Sequence, residues 1–287
     1  MNTLKRMIPN LFTAGNLVGG ILAIIFTLTG KIQLAPYCIF ASAIFDFLDG
    51  FMARLLKVPS ELGKQLDSLA DMVTFGVAPG IMVYELLRNH YVMGIYGPGW
   101  GFNNFEFPID NIDIEQAWTN SDVAFSAYFQ YIPYLAFIIP VFALFRLAKF
   151  NLDTRQSDSF IGLPTPAMTL FFAVIPILVD NAYNGVILGE ISVYSLQFEL
   201  TNIVMTSWFL VISAIIMSLL MVSEIPLFAL KFKHFKFKGN EIRFIFLTFS
   251  VLLLATLFFW AIPLIIILYV LLSIINNQFV KAKTDEI

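Results

Sequence analysis

Apolar stretches long enough to cross the ~30 Å hydrocarbon core of a bilayer at about 1.5 Å per helical residue recur along this chain. They fall at about residues 9–29, 33–56, 61–89, 128–150, 165–183, 203–223, 242–260 and 262–280. Stretches of this length are read as spanning helices. The expectation is therefore an all-α, polytopic membrane protein of eight spans. Its first six spans, residues 1–225, form the core, and residues 226–287 add a basic loop and a C-terminal helix pair. Composition agrees, since hydrophobic residues make up 59% and charged residues 13%, against about 25% charged in a soluble domain. Lys5 and Arg6 precede the first apolar run and no small-residue cleavage site follows, so this segment is expected to remain as a helix, with Pro9 opening it.

The basic residues set an expected direction. With the N-terminus cytoplasmic, 15 of the 17 Lys and Arg residues fall on cytoplasmic ends and loops, and only Lys31 and Arg88 fall on the other side. Both termini are then cytoplasmic in a multi-pass cell-membrane protein. The long connection 90–127 lies opposite and carries acidic residues with Trp100 and Trp118, as an interfacial loop held by an aromatic belt would. The run K-F-K-H-F-K-F-K, residues 231–238, suits an amphipathic strip on anionic lipid. A net charge of −3, with basic residues that track the membrane, argues against nucleic acid as a partner. Cys38 is the only cysteine, which excludes an internal disulfide.

Against this apolar background stand Asp46, Asp49, Asp67 and Asp71. A carboxylate near the bilayer centre costs about 2.5–3.5 kcal/mol on an insertion scale, so four together need a cation. At 100° per residue Asp46, Asp49, Gly50 and Ala53 fall within an arc of about 100°, and Gly63, Asp67, Asp71 and Thr74 within about 80°. A tight turn, Lys57 to Ser60, makes the two helices antiparallel and lets both stripes face one cleft, with Ser60 available to cap the second. Carboxylate-only ligands suit Mg²⁺ or Mn²⁺ and not zinc, and four suffice for two ions. Gly50, Ala53 and Gly63 leave the cleft shallow, and Arg54 supplies a cation for a phosphate or a counter-charge for an aspartate. A transporter or channel for divalent cations is the reading from a different class; it needs polar residues reaching both faces, and the outer halves of the spans offer few.

The spacing D-x2-D-G-x2-A-R-x8-G-x3-D-x3-D, met without departure from Asp46 to Asp71, resembles the signature of the CDP-alcohol phosphatidyltransferases. That resemblance covers the first six spans. It implies transfer of a phosphoalcohol from a CDP-linked donor to an acceptor hydroxyl, with CMP released, by what is commonly a homodimer using two divalent cations. Position by position, Asp46, Asp49, Asp67 and Asp71 match the metal ligands, and Asp71 also matches the general base. Gly50, Ala53, Arg54 and Gly63 match positions that contact the CDP group. The segment P-N-L-F-T-A-G-N resembles the family's first helix, which would put Thr13 and Asn16 in the nucleotide cleft.

Within the family, D-S-L-A-D-M-V-T-F-G-V-A-P-G, R-L-A-K-F-N and F-I-G-L-P-T-P-A are most similar to the phosphatidylserine synthases of bacteria and archaea. The expected substrates are then CDP-diacylglycerol and L-serine, with glycerol 3-phosphate, inositol phosphate or another alcohol as the competing acceptors. Arg146 and Lys149, three apart on one helix, and Arg155 just beyond are the expected holders of the lipid phosphate or the serine carboxylate. Lys149 stands where Arg is usual, and an ammonium does not replace the guanidinium fork.

Overall fold

The computed structural model describes residues 2–96, 131–153, 159–192, 194–229, 237 and 240–285. Most of the 90–127 connection, the 231–238 run except Phe237, and Arg155 lie outside them. Helices dominate. α1 (Asn2–Leu28), α2 (Ala35–Leu55), α3 (Glu61–Asp71) and α4 (Ala78–Tyr96) come first, with the wide turn Met72–Val77 joining α3 to α4 as a π-helix. α5 (Ile138–Leu152), α6 (Thr165–Ala173), α7 (Ile175–Ile187), α8 (Leu196–Met205), α9 (Ser207–Val222), α10 (Glu241–Leu257) and α11 (Ala261–Asp285) follow.

By length and composition, Met7–Leu28, Glu61–Arg88, Ile132–Leu152, Thr165–Val186 and Glu241–Gln278 are able to cross a membrane, and α8 with α9, bent by 66°, make a sixth candidate. The Glu241–Gln278 stretch turns back on itself. Phe258 has φ of 49°, and beyond it Tyr269 of α11 packs on Phe246 of α10 at 5.6 Å between ring centroids. α2 is 21 residues long, enough to span, and carries the first two aspartates.

Three features differ from the sequence expectation. Pro9 lies inside α1, which begins at Asn2, so it does not open the helix. The chain is not wholly helical, because Ser159–Ile161 (β1) pairs antiparallel with Pro226–Phe228 (β2), Phe160 opposite Leu227. Gly162 follows with φ of 73°, where a Cβ would meet the Met221 carbonyl at 2.4 Å. Within the fifth apolar stretch the helix is locally irregular at Val174, ahead of Pro176, while Thr165–Val186 remains one span.

The larger of two apolar clusters joins α4, α5, α6, α9 and α11 through Leu86, Ile139, Phe172, Leu210 and Val270, and the smaller joins α1, α2, the π segment and α4 through Ala23, Ile39, Phe75 and Met82. Of the C-terminal pair, α11 joins the larger cluster through Ile266 and Val270. α1 packs on α2 and on the π segment through small residues. A Cβ on Gly19 would lie 2.1 Å from Ser42 Oγ, and one on Gly20 would lie 2.8 Å from the Cα of Thr74. Close approach of this kind is how membrane helices gain van der Waals contact without a hydrophobic driving force. It brings α1 against both acidic helices.

Candidate active site

The site begins with the turn between the acidic helices. Lys57 takes a positive φ of 55°, and Ser60 Oγ accepts from the Gly63 N–H at 3.0 Å, capping α3 as its position suggests. Both acidic helices pack against α1, and Asp46, Asp49 and Asp67 each present an oxygen within 4.8 Å of the others. Asp71 completes the group, since the Asp46 carboxyl lies against those of both Asp67 and Asp71. Asp49 is buried and the other three are half-buried.

Oxygen donors alone, with no Lys or His among the described residues paired to them, match a hard divalent cation. Asp67 Oδ1 is moreover buried without a hydrogen-bond partner, which a buried polar atom rarely tolerates. The residues present therefore fit the metals that the aspartate pattern implies.

α1 supplies the outer partners. Thr13 Oγ1 donates to Asp49 Oδ2 at 2.7 Å, and Asn16 Nδ2 donates to Asp71 Oδ1 at 3.0 Å. Both donors are buried. Asn16 is itself held, because its carbonyl accepts from Ser42 Oγ at 3.1 Å and Thr74 Oγ1 at 3.0 Å. Its Oδ1 is buried and unpartnered. Directly after Asp71 the chain enters the π segment, whose wide turn frees the Phe75 carbonyl, and Thr169 Oγ1 of α6 donates to it at 2.7 Å. Single π turns recur at functional sites in helices.

The positions matched to the CDP group lie around the same cleft. Arg54 folds back over Gly50, its Nη1 3.5 Å from where a Cβ would stand. Gly63 faces Ser60 and, at 3.6 Å from its missing Cβ, Asn10 Oδ1. Asn10 is a site residue that sequence reading passed over. It precedes Thr13 and Asn16 at intervals of three, on the same side of α1, and that spacing was the available signal. Ala53 is half-buried beside them.

Of the three cations, Arg146 is buried, stacks on Phe150 at 4.7 Å from the ring centroid and lies near enough to Asp71 to interact with its charge. Lys149 is exposed and forms an ion pair with Glu224, just past α9. Arg146, Lys149, Phe150, Asp153, Ile161 and Ser223 line one small crevice. The sequence gives no local sign of the Lys149–Glu224 pair, which joins residues 75 apart.

Comparison with known proteins agrees with this geometry. Residues 6–97, which contain most of α1 and both acidic helices, match the family described as CDP-alcohol phosphatidyltransferase. The chain is 34% identical over 180 residues to a CDP-diacylglycerol--serine O-phosphatidyltransferase of Helicobacter pylori strain J99, covering 62% of this chain and 60% of that protein. It is 30% identical over 182 residues to the protein of the same name from Bacillus subtilis strain 168, covering 63% of this chain and 80% of the relative. A Saccharomyces cerevisiae protein of that name is 50% identical over 64 residues, 21% of this chain and 23% of its own length. The alignments thus span less than two thirds of the Helicobacter protein and four fifths of the Bacillus one. With an aspartate signature met in full, folded into one cleft, and a relative matched over most of its length, the chain belongs to the CDP-alcohol phosphatidyltransferase family.

Proposed function

We propose that this chain transfers the phosphatidyl group of CDP-diacylglycerol to the hydroxyl of L-serine, giving phosphatidylserine and CMP. The observation that carries the reading is the convergence of Asp46, Asp49, Asp67 and Asp71 on one cleft beside a buried arginine, in a chain whose relatives bear the serine transferase name. Asp46, Asp49, Asp67 and Asp71 would hold two divalent cations, Mg²⁺ or Mn²⁺. When bound, such cations offset the charge that develops on phosphate and leaving group.

The chain's own residues do the rest. Thr13 and Asn16 fix Asp49 and Asp71, so the carboxylates meet their ligands in set orientations, as outer partners do in metal sites. Gly50, Ala53 and Gly63 let the nucleotide approach the helix backbones, with Arg54, Thr13 and Asn16 at the cleft walls. Asp71 accepts the serine hydroxyl proton as the hydroxyl oxygen bonds to the phosphorus that carries diacylglycerol, and the bond from that phosphorus to the CMP oxygen breaks. Arg146 receives the serine carboxylate, for which its fork allows two parallel hydrogen bonds. Lys149, paired with Glu224, and Arg155 are the further candidates for the lipid phosphate.

Eight spans put both termini and the cleft on the cytoplasmic side, by the bias of basic residues. Asp46 is then about 12 Å along α2 from Arg54, just beneath the headgroups, where the donor's phosphates lie. The working form is a homodimer. Purified protein in detergent should release CMP only when CDP-diacylglycerol, Mg²⁺ or Mn²⁺ and L-serine are all present. Release with glycerol 3-phosphate or inositol phosphate and not with serine would retain the chemistry and reject the acceptor. Divalent-cation uptake into liposomes without CMP release would support a transporter instead.

A further inference from the structure

The helix that carries Asp67 and Asp71 and the helix that carries Arg146 are tied together by side chains that the reaction above does not use. Asn151 Nδ2, in the last turn of α5, donates to Ser68 Oγ of α3 at 2.8 Å. Lys64 Nζ, one turn before Ser68, donates to the Asn151 carbonyl at 3.2 Å. The two bonds join residues 83 and 87 apart in sequence. The Asn151 carbonyl is among the last of its helix and has no intrahelical donor to meet, and a lysine there also complements the negative end of the helix.

Position makes this tie more than helix packing. Ser68 lies between Asp67 and Asp71, and at 100° per residue Lys64, Asp67, Ser68 and Asp71 share an arc of about 100°. Lys64 and Ser68 therefore flank the carboxylates on the side that meets α5. Asn151 is five residues beyond Arg146, about 7.5 Å along the axis. Ser68 stands in D-S-L-A-D, between two of the site aspartates, and Asn151 ends R-L-A-K-F-N, which Arg146 opens. The nucleotide side of the cleft is built by Thr13, Asp49, Gly50, Arg54 and Gly63, none of which is bonded to Asn151.

We infer that Asn151 is a positioning residue: by holding Ser68 and Lys64 against the end of α5 it fixes the separation of Asp71 and Arg146 that the acceptor must bridge. The acceptor spans that gap with its hydroxyl at Asp71 and its carboxylate at Arg146, so the inference rests on the proposed reaction. A loosened tie should then weaken use of the acceptor and leave the donor untouched. A tie that only stabilised the bundle would affect both substrates alike.

The test is steady-state kinetics of CMP release by the full chain in detergent, with Asn151→Ala, Ser68→Ala, the double variant and Ser68→Thr. Loss of one neutral hydrogen bond corresponds to about a 2- to 10-fold change. Each alanine variant should raise the KM for serine by that factor, with the KM for CDP-diacylglycerol and the metal requirement unchanged. The double variant should be no worse than the worse single one, because both remove the same contact, and Ser68→Thr, which keeps the hydroxyl, should stay near wild type. If Asn151→Ala does not purify as a folded protein, Ser68→Ala removes the same bond with less loss of volume and decides the matter. Equal rises in both KM values, additive effects in the double variant, or no change in any constant would overturn the inference. A wild-type chain inert toward serine would defeat the proposed reaction and the inference together, whereas an active wild type with unaffected variants defeats the inference alone.

Discussion

Replacing Thr13 with valine removes one hydroxyl from the back of the carboxylate cluster and little else. The Thr13 Oγ1 has a single proton and two acceptors in reach, Asp49 Oδ2 at 2.7 Å and the Pro9 carbonyl at 3.3 Å. The shorter contact to a charged oxygen takes it. Hydrogen bonds to charged groups contribute about 1.5–3 kcal/mol, and Asp49 is the buried member of the cluster, where water does not replace the lost donor. If that stabilisation serves to hold Asp49 in its metal-binding orientation, Thr13→Val weakens metal binding by about 10- to 150-fold at 1.4 kcal/mol per decade, in line with the 10- to 100-fold typical of outer partners. The assay is CMP release against Mg²⁺ or Mn²⁺ concentration, in the presence of saturating donor and acceptor. The activation curve should move to higher metal concentration, with the plateau largely recovered, and Thr13→Ser should behave like the parent. An unchanged metal requirement in Thr13→Val would refute the argument that α1 orients the cluster.

Asp71→Asn should lower turnover by about 10²- to 10⁴-fold while CDP-diacylglycerol still binds, because an amide keeps the shape and cannot take the proton; near-normal turnover would remove Asp71 from that role. Arg146→Ala should raise the KM for serine more than that for CDP-diacylglycerol, and the reverse would assign Arg146 to the lipid phosphate. Gly20→Ala should destabilise the protein by about 1–3 kcal/mol, read as a lower melting temperature in detergent, since its Cβ would stand 2.8 Å from the Thr74 Cα and the backbone has to move.

The acidic stripes were legible in the sequence because a helix repeats on itself. Intervals of three and four residues put Asp46 with Asp49 and Asp67 with Asp71 whatever surrounds them, and the structure brings the two pairs together. The cap at Ser60 was legible for the same local reason. Contacts between distant segments were not. Within the π turn at Met72–Val77, the Phe75 carbonyl meets a hydroxyl from Thr169, 94 residues away. Lys149 looked like a free cation until Glu224, 75 residues on, was placed beside it. Pro9 misled because proline favours a first turn, yet α1 continues upstream of it to Asn2. Likewise the β1–β2 ribbon is three residues a side, too short to leave a period-two pattern.

The account comes down to one chemical event, attack by the serine hydroxyl on the phosphorus that carries diacylglycerol, at a carboxylate cluster that holds divalent cations. It is tested most directly by supplying liposomes of CDP-diacylglycerol and purified protein with isotopically labelled L-serine and counting both products. Labelled phosphatidylserine and CMP should appear in equal amounts, and both should stop when the divalent cation is chelated. CMP formed without labelled lipid, or labelled lipid formed undiminished after chelation, would contradict it.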